Sequence, residues 1–320
     1  MTNKERVINA IEGKRVDHVP MTFSIHFPKE VAFGDAAVKS HLDFYKNTGV
    51  DIMKIMNENL VPQFEKYHGI SSWGELPKHT VKDTFIQAQL DLIKKIIDQS
   101  PDETFFLGTL HGTLASMIHP FEPQIGYEEV RMEHLKCFRE NKKAYTEDAK
   151  IITDTMIILI EEMAKLGVDG VYYASLGAEK RYFTDQEFEE AIASYDKIML
   201  KAIKDNGMYS FLHMCKDGLA MDRYRSYADY ADVVNWGIYE DTNLDLFAGK
   251  KLFPGKTIMG GLANRKGVIV DGSKEELQNT VKQIVKDFGK DKFIFGADCT
   301  LPTEIPYERL MWIKEALSEV

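Results

Sequence analysis

The chain has 320 residues, 44% of them hydrophobic, and a formal charge of −10. That is enough apolar material for one large α/β domain or two ordinary ones. Phosphate binding needs clustered Lys and Arg, so this balance, which carries no basic stripe, excludes nucleic acid or an anionic membrane as the main partner.

The opening MTNKERVINAIEGKRVDHVP has the pattern of an amphipathic helix and lacks the apolar core of a signal peptide. No later run approaches the roughly 20 apolar residues of a membrane span. A cytoplasmic protein is the expectation. Cys137, Cys215 and Cys299 are an odd and sparse set, unsuited to a disulfide framework.

Short apolar, β-branched or aromatic runs then alternate with longer amphipathic segments, the pattern of βα units on a parallel sheet. The predicted strands are VPMTFSI (Val19 to Ile25), DIMKIMN (Asp51 to Asn57), FFLGTLHG (Phe105 to Gly112) and DGVYYASL (Asp169 to Leu176). MYSFLHMC (Met208 to Cys215), DVVNWG (Asp232 to Gly237), TIMGGLAN (Thr257 to Asn264) and KFIFGADC (Lys292 to Cys299) follow, making eight. Helices are expected over 79–99, 146–167, 184–207 and 273–289. Thr184 and Ser273 stand as N-caps with Glu187 and Glu276 three residues on, and Gly167, Gly207 and Gly289 follow the last turns. Eight alternating strands favour a single (β/α)8 TIM barrel with an N-terminal helical extension over two doubly wound domains. No linker composition interrupts residues 1–320, so one domain is expected.

In such a barrel, function gathers where strands end and βα loops begin. Those ends are polar here: Asn57 and Glu58, His111, Tyr172 or Tyr173 with Ser175, His213 and Cys215, Asn235, Asn264, then Asp298 and Cys299. Side chains at i and i+2 share a face, so His213 and Cys215 point into the barrel mouth and Met214 away from it. An imidazole and two thiolates suit tetrahedral zinc with a fourth position open. By spacing alone the trio has two readings, because buried cysteine also packs as a small hydrophobe, and packing is the commoner. His111 is an acid/base or orienting candidate and equally a hydrogen-bonded structural residue. The same two readings hold for His26 and Glu58. Phe23, Phe27, Tyr172, Tyr173 and Trp236 near strand ends offer stacking surfaces for a flat ring, or core.

In order along nearly the whole chain, NKERVINAIEGKRVDHVPM, GVDIMKI, LHMCKDG, GGLAN followed by SKEELQNTVKQIV, and FIFGADCTLP resemble the uroporphyrinogen decarboxylase superfamily. Decarboxylases of that group carry an arginine-rich MRQAGR-like segment after the first strand, whereas TFSIHFPKE stands here without an arginine. The zinc methyltransferases of the superfamily carry H-x-C near the fifth strand and a late G-x-x-C, which His213, Cys215 and Cys299 match. The late motif reads GADCTLP where relatives have GPGCELP, which sets Asp298 and Thr300 apart.

The resemblance implies a methyltransferase of the EC 2.1.1 type with Zn2+ on His213, Cys215 and Cys299. Its partner would be a separate corrinoid protein carrying cobalamin, since the chain has no cobalamin-binding motif of its own. The implied reaction moves a methyl group between a small methylated substrate, such as a methoxylated aromatic, and cobalt. In that setting His111, Glu58 and Asp298 are the catalytic candidates, and His26, Phe23, Tyr172, Tyr173, Asn235 and Asn264 the substrate-binding ones. Alternatives are methyl transfer from a methylated corrinoid to a thiol of the coenzyme M type, or a zinc-free, decarboxylase-like member using Lys180, Arg181 or Lys216 for anions.

Overall fold

The structure, a computed structural model, describes residues 1–62, 73–240, 242 and 244–320. Among these residues one parallel sheet of seven strands forms in sequence order. The strands are β1 (Ile52–Ile55), β2 (Phe105–His111), β3 (Gly170–Ser175), β4 (Tyr209–Met214), β5 (Val233–Trp236), β6 (Thr257–Leu262) and β7 (Phe293–Ala297). Each lies inside one of the predicted apolar runs.

Parallel neighbours require crossover connections, and helices such as Thr84–Asp98, Lys142–Leu166 and Lys274–Phe288 supply them. Ser273 and Thr184 form the expected capping boxes, each hydroxyl accepting from the backbone of the glutamate three residues on. Gly167 ends Lys142–Leu166 at φ 88°, a left-handed conformation that a side chain disfavours. The helix expected over 184–207 is instead Asp185–Phe188, a π-helical turn Glu189–Ala193, and Ser194–Asp205. The Ala191 carbonyl in that wider turn accepts a bond from Tyr145 Oη at 3.1 Å.

Seven strands and a bridging segment stand in place of the eight expected. Val19–Ile25 makes only isolated bridges, Met21 to Phe295 and Ile25 to Leu301. Its backbone still bonds on both sides: Thr22 N to Phe295 O at 2.9 Å, Phe295 N to Pro20 O at 2.8 Å, and Asp51 N to Met21 O at 2.9 Å. Pro20 has no N–H to give, which interrupts a regular ladder.

The sheet is strongly curled. Ile52, Phe105, Tyr172, Phe211, Val233, Met259 and Ile294, one or more from every strand, meet in a single apolar cluster. Strands about 4.8 Å apart in a flat sheet would hold Ile52 and Ile294 roughly 29 Å from each other. The helix Asn3–Glu12 belongs to that cluster through Val7, Ala10 and Ile11. What the sequence suggested as an extension is therefore a plug at the N-terminal ends of the strands. It is bonded there by Thr257 Oγ1 to Ile11 O at 3.1 Å and by a Lys4–Asp169 ion pair at 2.6 Å. Among the described residues no helix is long and apolar enough to cross a membrane.

Candidate metal centre

Strand alternation builds the site. On β4 the inward file runs Tyr209, Phe211, His213 and on to Cys215, while Met214 joins the core under the helices. On β2 it runs Phe105, Leu107, Thr109, His111, and on β1 Ile52, Lys54. The files are apolar toward the plug and polar toward the C-terminal ends, where they line a cavity of about 570 Å³. The chamber is closed below and open above.

One ligand atom from each of His213, Cys215 and Cys299 lies within 4.8 Å of the others. The imidazole's orientation is set by Asn235. The amide nitrogen of Asn235 donates to the carbonyls of Met259 at 3.0 Å and Ala297 at 3.1 Å, so its Oδ1 must face the other way. That oxygen accepts from His213 Nδ1 at 2.6 Å and from Tyr172 Oη at 3.2 Å. Nδ1 therefore carries the proton, and Nε2 presents a lone pair. Among the described residues Nε2 is buried with no partner.

The two sulfurs influence each other: the neighbouring Cys215 holds Cys299 well below the ordinary thiol value, with His213 helping, and Cys299 pushes Cys215 well above it, with burial helping. The centre thus offers an imidazole lone pair, a thiolate at Cys299 and a protonated thiol at Cys215, whose proton a bound metal would displace. A buried orphan nitrogen beside two sulfurs is a donor set that fits zinc, and it does not fit magnesium or calcium, which take oxygen.

Tyr172 stacks on His213 with ring centroids 5.1 Å apart, and the Lys54 ammonium sits 3.3 Å from the Tyr172 centroid. Lys54 Nζ also donates to Ser24 Oγ at 3.1 Å. Burial lowers its pKa to about 8, with Cys299 and Cys215 opposing.

The remaining sequence candidates divide. His26 and Glu58 pair at 2.7 Å and line the cavity. His111 lines it too, its pKa depressed to about 3, chiefly by burial, and its ring lies 5.3 Å edge-on from His119, which pairs with Glu122 at 3.0 Å. Asn264 lines the cavity and bonds the Thr300 carbonyl at 3.0 Å. Phe23 borders a small hollow with Lys54, Tyr172 and Cys299. Asn235, expected to contact substrate, is engaged in holding His213. Asp298, expected to be catalytic, lines the cavity and also anchors the loop after β5, accepting from Ile238 N at 3.0 Å and Tyr239 N at 2.9 Å; burial raises it to about 6.

Tyr173 is not at the site. Adjacent strand residues face opposite ways, and its hydroxyl donates to Asp196 at 2.5 Å beneath the helices. Trp236 likewise turns outward to Leu244 O at 2.7 Å, and Phe27 packs edge-on against His41. Of the alternative anion contacts, Lys216 lines the cavity, whereas Arg181 pairs with Glu128 at 3.0 Å and Lys180 borders a separate groove.

Sequence reasoning missed Lys54 and Thr109. The signal for Lys54 was present: a lysine inside the apolar run DIMKIMN, on the same parity as Ile52, is a charge in a buried strand.

The profile of the uroporphyrinogen decarboxylase (URO-D) family matches residues 46–320. No curated protein matches the chain in sequence. Among solved structures, a methyltransferase from Methanosarcina mazei superposes with a TM-score of 0.77 at 14% identity, covering 100% of this chain and 99% of that one. A B12-independent methionine synthase from Shewanella sp. W3-18-1, in complex with selenomethionine, gives 0.63 at 13% identity, covering 94% and 97%. A putative vitamin B12-independent methionine synthase from Listeria monocytogenes gives 0.57 at 12% identity, covering 96% and 97%. At these identities the likeness is one of fold.

Proposed function

The chain belongs to the uroporphyrinogen decarboxylase (URO-D) family, and from that premise we propose that it is a zinc-dependent methyltransferase. It would move a methyl group between a small methylated substrate, a methoxylated aromatic, and the cobalt of a separate corrinoid protein. The observation that carries this reading is the orphaned lone pair of His213 Nε2 beside the Cys215–Cys299 thiol pair. The missing arginine-rich segment after Ile25 weighs against porphyrinogen decarboxylation.

His213, Cys215 and Cys299 would hold the zinc, which supplies Lewis-acid stabilisation of the oxygen from which the methyl group departs. The chain's own residues do the rest. Asn235 keeps the imidazole lone pair aimed at the centre, as ligating histidines are commonly oriented by a second hydrogen bond. Tyr172 walls the chamber beside it. The cavity, about 570 Å³, suits one small ring and is too small to enclose a corrin as well, so the cobalt has to approach from the open mouth. When the carbon–oxygen bond breaks, its electron pair would stay on oxygen, and the methyl carbon would bond to the reduced cobalt, Co(I), of the partner, which supplies the electron pair of the new bond. The His26–Glu58 or His119–Glu122 pair would then protonate the phenolate, whereas His111, depressed to about 3, is neutral and offers one N–H donor and one acceptor in place of a proton to give up.

Two sulfurs and one nitrogen also suit a thiol substrate, and the same centre would then run the transfer toward a thiol. Protein purified without chelators should contain near-stoichiometric zinc, lost in Cys215→Ser and Cys299→Ser. Mixed with a reduced corrinoid protein and methoxylated aromatics, it should produce the absorbance of methylcobalamin. Turnover by metal-free protein, or zinc-loaded protein that transfers methyl to no corrinoid, sinks the reading.

A further inference from the structure

Two histidines around the cavity face carboxylates, His26 toward Glu58 and His119 toward Glu122, while Lys216 stands over the Tyr127 ring. Lys54 stands instead beside Tyr172 and Cys299. Among the described residues it forms no ion pair with a carboxylate, and its ammonium has one neutral acceptor, Ser24 Oγ, and one ring face, that of Tyr172. An ammonium carries three donors, so at least one N–H remains for whatever occupies the cavity it lines.

Thr109 is the second observation. It stands directly opposite Tyr172 in the β2–β3 register, is 3% exposed, and among the described residues its Oγ1 is buried without a partner while its side chain lines the same cavity. A buried hydroxyl and a half-buried charge both cost free energy until something pairs with them. The thiolates do not meet that need, because two thiolates on a divalent metal cancel its charge and leave the lysine unanswered.

From this geometry we infer that Lys54 and Thr109 form a subsite for an anionic oxygen of the substrate, a carboxylate or a phenolate. Lys54 is thereby a specificity-determining residue. The inference rests on the cavity being the substrate site of the proposed transferase, and it narrows that substrate to one bearing a negative charge. A neutral ring of the same shape would offer the ammonium no charge to pair with.

The test is equilibrium binding, independent of turnover. Titration calorimetry of the zinc-loaded full chain with 4-methoxybenzoate and with its neutral isostere 4-methoxybenzamide reads the preference directly. Wild type should favour the anion by about tenfold, the size of one charge-assisted hydrogen bond. In Lys54→Met the preference should vanish, in Lys54→Arg it should persist, and in Thr109→Val the anion alone should weaken. Zinc content and circular dichroism confirm that each variant is folded and loaded; if Lys54→Met does not fold, the wild-type ratio with Lys54→Arg and Thr109→Val decides. Equal binding of the two probes, no binding of either, or a preference unchanged in Lys54→Met overturns the inference, the last showing Lys54 to be only a counter-ion of the thiolates. A charge preference without methyl transfer would sink the transferase reading alone. Methyl transfer without a charge preference would sink this inference alone.

Discussion

Asn235 holds His213 in one tautomer: its Oδ1 lies 2.6 Å from Nδ1 while its own amide is spent on the Met259 and Ala297 carbonyls. Four strands meet in that arrangement, since β4 carries the histidine, β5 the asparagine, and β6 and β7 the two carbonyls. Removing the asparagine frees the imidazole to rotate and to put its proton on either nitrogen. Asn235→Ala should therefore lose about 10- to 100-fold in zinc affinity, measured by competition with a chromophoric chelator. An unchanged affinity would show that packing alone orients His213.

The third cysteine should be a spectator. Cys137 is fully buried and burial pushes its thiol up to about 12. Metal-free folded protein should expose Cys215 and Cys299 to maleimide and release Cys137 only on unfolding. Cys137→Ala should keep its zinc, in contrast to the other two positions. Loss of zinc from that variant, with the fold intact by circular dichroism, would contradict the assignment of the trio.

Tyr172 and Tyr173 are adjacent in sequence and opposite in consequence. Tyr173→Phe removes one of the donors that Asp196 receives from Tyr173, Ser175 and Tyr227, and should cost roughly 1–3 kcal/mol of stability while leaving zinc binding unchanged. Tyr172→Ala strips the stacked wall from His213 and should weaken zinc binding several-fold. Urea unfolding and metal titration of both variants separate the two effects.

Asp196 gives a pH signature. Burial, the largest effect, outweighs its hydrogen bonds and raises it to about 6. The folded chain then keeps a proton that the unfolded chain has released, so this group's contribution to stability declines as pH rises from about 4 to 6. The shift of about two units corresponds to roughly 3 kcal/mol lost above that window. Asp196→Asn cannot titrate, and it also disturbs a hydrogen bond at every pH, so the informative quantity is the change in its ΔΔG. Relative to wild type, the variant should gain stability between pH 4.5 and 7 by urea titration. A pH-independent difference would mean that Asp196 is ionised throughout.

Much of the fold was legible because its signals are local. The seven strands fall inside predicted runs, and the capping boxes at Thr184 and Ser273 are read from four-residue patterns. Convergence of His213, Cys215 and Cys299 was also legible, because an H-x-C pair on one strand and a cysteine ending another must share a rim if both strands belong to one sheet. The missing ladder at Val19–Ile25 was not, since Pro20 withholds its N–H in a segment whose apolar content otherwise suits a strand.

By itself, then, the sequence determined which segments are strands and which residue types stand at their C-terminal ends. Only the tertiary structure decided that Asn235 serves His213, that Asp298 anchors a loop, that Tyr172 rather than Tyr173 faces the cavity, and that Lys54 and Thr109 line it. The reason is physical: strands of a parallel sheet are buried on both faces, so their apolar runs do not announce which parity points inward. The inward parity is settled by curling of the sheet around the plug made by the helix Asn3–Glu12, an event between residues far apart in the chain.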